Sequence, residues 1–468
     1  MTETEPKRTP ANQNPWYVLM TLYGEQTGEM VDTVLHAKNR DAWNAWAGFL
    51  LPEAVREDCV ARGKFLPELD AWHDRGAEIR TLHKAEMLRR NGADFSYPGF
   101  SEPHQLAVVD MSAVDLNCIF CADDLVFPRV ANFKFAKFGG QASFDSTMFI
   151  EPTIFDDATM RRCDDATMRR CDDATFGEAA DFSCATFGDY TTFDSTTFSG
   201  SAMFVFARFS GAAHIMSVKF IGIATFVAAT FGEDTRFGYA TFNGFTYFPE
   251  AHFGTPGTDH PVSFTDCQFL KPTNFRNAVF HSRYPDLSGA VLHDKTEFTA
   301  KPENWPLSTA QSAEEAKAAC ARIRHAIAKQ GLPEEEHFFY RREMGFACRI
   351  GPVWQRLPYR LFGLLSDFGY SIQRPVEALL LLWVWPAVFF FGHAQTGRLA
   401  DSPEIGRALA LSFANIFNFL GFHRTFFAPD VMQRLPAALQ VLSGFQMLAG
   451  VALLFFLGLG LRTRFRLR

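Results

Sequence analysis

Between Phe133 and Phe280 a phenylalanine recurs every five or six residues, the two steps alternating, with a small residue two places ahead of it. Phe182, Phe187, Phe193, Phe198, Phe204 and Phe209 are separated by 5, 6, 5, 6 and 5 residues. Ile215 takes the next place, and Phe220, Phe226, Phe231, Phe237, Phe242, Phe248 and Phe253 carry the count onward. Ala180, Ala185, Thr191, Thr196, Ala202 and Ala207 stand two residues before successive anchors. Steps of five and six carry the anchors around a helix axis instead of stacking them on one face, and a flat strand needs a period of two. The pattern fits a chain that turns a corner after every anchor and points the same two side chains inward each time. Such a chain coils into a solenoid.

Outside the repeats the pattern changes to helical. Near the start, Asn14 to Glu25 contains a short apolar run, and His36 to Leu51 places Trp43, Trp46 and Leu50 on one helical face. Two further helices are predicted over 52–62 and 77–90. After Phe298, Lys301 to Pro306 ends the repeat. Ser312 then caps a helix with Glu315 three residues on, and Gly331 with Pro333 stops it. A second helix is predicted from Glu334 to Ile350, its acidic first turn complementing the helix dipole rather than holding a metal.

The C-terminal quarter is apolar enough for a bilayer. Residues 376–394 form a hydrophobic run with Pro386 inside, and 435–461 is free of charge. Both reach the ~20 residues a spanning helix requires. Arg349, Arg356, Arg360 and Arg374 precede the first run, and Arg462, Arg464, Arg466 and Arg468 follow the second. Basic flanks at both outer ends predict two spans with both termini in the cytoplasm. Trp354, Tyr359 and Leu361 to Leu365 predict an interfacial helix just before the membrane.

The repeat residues, such as Ala185-Thr186-Phe187-Gly188-Asp189 and Ala240-Thr241-Phe242-Asn243-Gly244, resemble the pentapeptide-repeat family. The resemblance covers about residues 115 to 300. It implies a mainly β protein, a right-handed quadrilateral β-helix with the central residue and the preceding small residue stacked inside. Alternating steps give a coil of about 22 residues, and about 8 coils at ~4.8 Å would make a rod roughly 35–40 Å long. The N-terminal block resembles the leader found before such repeats in membrane-linked bacterial members, and its expected role is to cover the open edge of the first coil. The domain reading is a leader and cap over 1–112, the β-helix over 113–300, a helical cap and linker over 301–372, and a membrane domain over 373–468.

One stretch breaks the count. Asp156 to Cys163 recurs identically as Asp164 to Cys171, and Asp172 to Phe176 begins a third copy. Eight residues do not match a step of five or six, so Met160, Met168 and Phe176 are not expected at equivalent corners without a bulge. A tandem duplication tolerated by the solenoid is one reading, and a charged binding bump is the other.

Charge and chemistry narrow the function. The formal net charge is −7, and residues 115–298 hold 14 Lys and Arg against 23 Asp and Glu. There is no basic footprint for nucleic acid. The nine cysteines are scattered. Cys118 and Cys121 have CxxC spacing without a second pair, and Cys121 falls on the anchor count between Leu116 and Phe127, so a buried small side chain is expected there rather than a metal or redox site. The start, Met1 to Pro10, is polar and charged and does not read as a signal peptide, so the solenoid is expected in a reducing cytoplasm. No catalytic motif and no cofactor signature is present. An enzyme is not expected, nor any bound cofactor or metal.

Between the two spans, residues 408–422 form an uncharged segment too short to cross. A re-entrant segment there resembles the pore loop of two-span potassium channels, in which backbone carbonyls replace the ion's hydration shell. Here Phe419-Leu420-Gly421-Phe422-His423 stands in place of the Thr-Val-Gly-Tyr-Gly filter. Asn415, Asn418 and Gly421 are the pore-loop candidates, the alternatives being hydrogen bonding within a packed helix or a short helix on the outer face. The expected function is a membrane-anchored interaction scaffold in a bacterial inner membrane, contacting the lipid bilayer and an unidentified protein, with homo-oligomer formation through the membrane helices. A degenerate pore-loop channel regulated by the solenoid is the second reading. The third is a DNA mimic that inhibits a DNA-binding enzyme.

Overall fold

The computed structural model describes residues 7–27, 30–61, 72–92, 108–140, 142–160, 169–170, 173–188, 190–306, 311–395, 405–427 and 431–465. The chain divides into two compact units, residues 1–336 and 337–468.

The first unit is a parallel β-solenoid flanked by helices. Strands of two or three residues, such as Thr186–Phe187 and Thr197–Phe198, each pair in parallel with their counterparts one coil below and one above. The first face runs from Val108–Asp110 to Glu297–Phe298, and the second from Val114–Leu116 to Val279–Phe280. The third runs from Phe120–Cys121 to Val262–Ser263, and the fourth from Val126–Phe127 to Gln268–Phe269. Each strand is too short to bury a core alone. Stacking turns its single inward ring into part of a continuous column.

The two step lengths correspond to two kinds of corner. After the first and third faces the chain makes a β-turn, with Ala185 N–H donating to Phe182 O at 3.2 Å and Thr196 N–H to Phe193 O at 3.0 Å. The third residue of these turns is left-handed, as at Cys184 (φ 56°), Ser195 (φ 59°) and Phe206 (φ 57°). This tight corner gives the five-residue step. The other two corners carry one more residue, and there consecutive coils approach closely. A Cβ on Gly222 would strike the carbonyl oxygen of Gly200, and one on Gly244 that of Gly222.

The anchors form columns of parallel rings. On the first face Phe182, Phe204, Phe226 and Phe248 stack with centroids 4.8, 5.0 and 4.8 Å apart and planes within 6°. On the second, Phe187, Phe209, Phe231 and Phe253 stack at 4.6, 4.9 and 5.0 Å. Phe198, Phe220 and Phe242 stack on the fourth at 5.1 and 4.9 Å. Phe193 and Phe237 belong to the third face, where Ile215 lies between them in the column, and both meet neighbouring columns edge to face. All thirteen phenylalanines from Phe182 to Phe253 on the anchor count are buried to 1% exposure or less.

The duplication is absorbed without disturbing these columns. Corresponding positions lie 22 residues apart in most coils, as for Ala202, Ala224 and Thr246. In two coils they lie 27 apart, where Thr153 pairs with Ala180 and Thr246 with Thr273. Both excesses enter at the same corner, between the second and third faces, after Met160 and after Phe253. Met160 pairs along the second face with Phe138 and Phe187, whereas Phe176 lies on the fourth face between Phe149 and Phe198. The repeated segments therefore occupy different sides. Phe155 and Phe182, on either side of the interruption, still stack at 4.9 Å and 5°. Residues 161–168, with Arg161, Arg162 and Met168, lie outside the described residues, as do Cys171, Asp172 and Asp189.

The register corrects one expectation. The six-residue step falls between the second and third faces, so Ala122, fully buried, is the inward residue after Leu116. Cys121 pairs with Ser143 on the strand and is half-buried.

Both coil edges are covered. Thr9–Pro10 adds a parallel strand to Val114–Asp115. Helix α1 (Pro15–Met20) is capped by Asn14, which accepts from Trp16 N–H and Tyr17 N–H. Helices α2 (Thr33–Leu50), α3 (Glu53–Ala61) and α4 (Trp72–Asn91) follow. Trp43 of α2 donates to Val126 O at 2.7 Å and lies 5.1 Å from the Phe127 ring, and Asn44 exchanges hydrogen bonds with Asp124 O and Val126 N–H. These groups satisfy first-coil edge atoms that would otherwise template another strand. At the far edge Trp305 stacks on Phe280 at 5.0 Å, ending the second-face column. Helix α5 (Ala313–Ala328), capped by Ser312, buries Ala316, Ala319, Cys320, Ile323 and Ile327. Its neighbour α6 (Pro333–Ala347) carries Glu334, Glu335 and Glu336 in the first turn, and Glu336 lies 3.6 Å from Arg324.

The second unit is helical. It contains α7 (Val353–Ser366), α8 (Gln373–Gln395), α9 (Ile405–Ile416), the short α10 (Phe422–Phe426) and α11 (Ala437–Phe465). Helices α8 and α11 have spans of 21 and 29 residues with mean hydropathies of 1.7 and 2.0, long and apolar enough to cross a membrane. Pro436 immediately precedes α11, and Arg462 and Arg464 lie in its last turn, where cations suit a helix C-terminus. Arg466 and Arg468 lie outside the described residues. The segment expected over 408–422 is not one helix: α9 stops at Ile416, a single 3₁₀ turn covers Asn418–Leu420, and Gly421 at φ 77° redirects the chain into α10.

Candidate functional site

The solenoid interior is occupied by rings and small side chains, so any chemistry of this unit lies on its outer surface. Each strand presents one residue outward between its two inward ones. On the first face the coils starting at Ala202, Ala224 and Thr246 are in register. They set Met203 beside Thr225 and Tyr247, while the adjoining corner residues Ile223 and Phe245 and the following Val205, Val227 and Pro249 continue the columns on either side. Phe206, at the tight corner, is 62% exposed and Phe245 is 45% exposed. The Phe245 and Tyr247 rings lie 6.5 Å apart at 20°. From Ser195 to Gly232 the chain has no Asp or Glu, although the solenoid as a whole is acidic. The result is an uncharged apolar band across three coils. In the linear sequence these residues are 22 apart and separated by polar ones, so only the coil length reveals that they adjoin.

The second candidate lies between α8, α9 and α11. Ser412 and Asn415 of α9 and Gln446 of α11 are fully buried. Asn415 Nδ2 donates to Gln446 Oε1 at 2.8 Å, and Gln446 Nε2 donates to Leu382 O at 2.8 Å and Ser412 Oγ at 2.6 Å. Ser412 Oγ in turn donates to Trp383 O at 2.6 Å, and His423 Nε2 donates to Asn415 Oδ1 at 2.7 Å. Every polar atom of the Gln446 side chain has a partner from its own bundle. Gly450, one turn further along α11, allows the close approach, since a Cβ there would lie 2.9 Å from Ile416 O. The three pore-loop candidates do not converge. Asn415 is held in this network, Asn418 is exposed in the 3₁₀ turn, and Gly421 serves the turn to α10.

Titratable clusters elsewhere are accounted for by local partners. Asp156, Asp157 and Cys184 bring ligand-type atoms within 4.8 Å of one another at one solenoid corner. Lys134 pairs with Asp156 at 2.8 Å, and burial with the nearby carboxylates raises the Cys184 thiol pKa, keeping it protonated. Burial pushes the Cys267 thiol up to about 12, and its Sγ lies 2.7 Å from Phe237 O. Cys118 Sγ lies 2.7 Å from the Tyr17 hydroxyl, which joins the CxxC segment to the N-terminal cap.

Comparison with known proteins agrees with the coil geometry. Residues 207–252 match the family model for pentapeptide repeats (9 copies). No curated protein and no solved structure matches the chain. With its alternating anchors, stacked inward phenylalanines and four parallel faces, the β-solenoid of this chain is a pentapeptide-repeat solenoid.

Proposed function

We propose that the protein is a non-enzymatic, membrane-anchored scaffold whose solenoid docks a protein partner on the uncharged band of its first face. The observation that carries this reading is the apolar band around Phe206, Ile223, Phe245 and Tyr247. Contiguous apolar surface of this kind is a mark of interaction sites on soluble proteins, and an all-parallel stack of short strands holds it flat and rigid. Covered coil edges favour side-on docking over end-to-end growth. Helices α8 and α11 serve as two membrane spans, and their basic outer flanks put both termini in the cytoplasm of a bacterial cell. The bundle's hydrogen bonds favour an anchor over a channel, because Ser412, Asn415 and Gln446 pair with one another instead of facing a water path. The acid-free band likewise favours a protein partner over mimicry of DNA.

A photo-crosslinking residue in place of Phe245 tests this reading in intact cells. It is expected to yield one discrete protein adduct that Phe206→Asp abolishes. The same residue in place of His214, on the third face, is expected to yield none. Equal adducts from both positions would refute docking on the first face.

A further inference from the structure

Helix α7 carries a face that none of the described residues of its unit covers. Its Phe362 ring packs 5.5 Å from Phe456 of α11, its Ser366 is fully buried, and Arg374 at the start of α8 donates to Gly363 O at 2.8 Å. These contacts fix one side of α7 against the N-terminal end of α8 and the C-terminal part of α11. Gly460 closes the same end, where a Cβ would lie 3.0 Å from Ser371 O. On the other side, Val353, Trp354, Leu357, Leu361 and Leu364 recur at helical spacing and point outward, with Trp354 at 82% and Leu364 at 70% exposure. Arg356 and Arg360 fall one helical turn apart along one flank of this apolar face. Arg374, Arg462 and Arg464 occupy the span ends on which α7 is fixed.

We propose that α7 is a lipid-binding element that lies in the headgroup layer of the membrane and selects anionic phospholipid. The inference rests on reading α8 and α11 as spans, and charge and continuity identify the occupant. The helix bearing this apolar face is fixed to the ends of the spans, and its flank and those ends carry arginines without an acidic residue in α7 itself. A helix of this kind sinks its apolar side into the boundary between headgroups and acyl chains, with the indole of Trp354 at the headgroup level. Each arginine near an anionic surface adds roughly a five-fold factor to partitioning. The consequence for the proposed scaffold is a solenoid tethered through a segment that is itself bound to the leaflet, and sensitive to its charge.

The full-length protein in vesicles of brominated phosphatidylcholine, with and without phosphatidylglycerol, tests this directly. Quenching of Trp383 and Trp385 reports the span α8. The difference between the wild type and Trp354→Phe reports α7. The expected result is Trp383 and Trp385 quenching in both vesicles, and Trp354 quenching that is several-fold stronger with phosphatidylglycerol. An Arg356→Gln, Arg360→Gln double variant, altering the exposed Arg360 and the half-buried Arg356 that donates to Gly351 O, should lose most of that increase. Equal Trp354 quenching in both vesicles would overturn the selectivity, and no Trp354 quenching in either would overturn the lipid site and leave a protein as the occupant. Absence of Trp383 and Trp385 quenching would refute the span reading alone, because Trp354 quenching by anionic vesicles is scored independently.

Discussion

Replacing Phe226 with Ala removes the middle ring of the first-face column. Phe226 stacks on Phe204 at 5.0 Å and Phe248 at 4.8 Å, meets Phe237 edge to face at 5.6 Å, and is fully buried. Deleting a buried phenylalanine side chain costs about 3–5 kcal/mol in transfer and cavity terms. The rigid hydrogen-bonded coil cannot collapse into the void, and aromatic pairs are worth about 0.5–1.5 kcal/mol beyond their area, which places the change at the upper end. A solenoid transmits stability mainly between neighbours. Backbone amide exchange on the detergent-solubilised full chain should therefore accelerate in the strands Ala202–Met203, Ala224–Thr225 and Thr246–Tyr247 by two orders of magnitude or more, with little change at Val130–Asn132. Phe226→Leu should recover most of the protection, since it keeps much of the volume. Thr225→Ala, on the outward side of the same strand, should cost about 0.5 kcal/mol or less. Matching losses from Phe226→Ala and Thr225→Ala, or acceleration spread evenly over all coils, would refute the inward register and the nearest-neighbour argument together.

Two further outcomes are expected. His83 of α4 is buried and bonded through Nε2 to Pro15 O, and desolvation lowers its pKa to about 4. The unfolded chain binds that proton first, so as pH falls from about 6.5 to 4 the N-terminal cap should lose roughly 3 kcal/mol; amide exchange in α1 and α4 should report a loss that His83→Gln makes pH-independent in this window. Gln446→Leu strands the Asn415 Nδ2 donor inside the bundle and should cost about 1–3 kcal/mol, read as a lowered thermal midpoint in detergent, while exposed Asn418→Leu should leave it unchanged.

The sequence by itself determined the coil. Inward positions in a chain of repeated corners must hold a ring and a small residue at every turn, so the requirement is written locally, in each five- or six-residue step, and is legible without knowing what stacks on what. The helices flanking the solenoid, the two apolar runs and the amphipathic character of Trp354 to Leu365 are equally local. What depended on distance along the chain was not legible. Cys121 and Ala122 are both plausible inward residues until the six-residue step is assigned to one corner, and that assignment comes from pairing with Ser143 and Phe144 a coil away. The extra five residues after Met160 and after Phe253 resemble a lost register in the linear count. Only the pairing of the flanking strands shows that both excesses fall between the second and third faces. Asn415 read alone suits a pore as well as a packed helix; the tertiary structure decided its place by bringing Gln446 from 31 residues away and His423 from around the Gly421 turn. The apolar face around Phe245 exists only because 22 residues return the chain to the same side, so its members become neighbours through coil closure and not through any local preference.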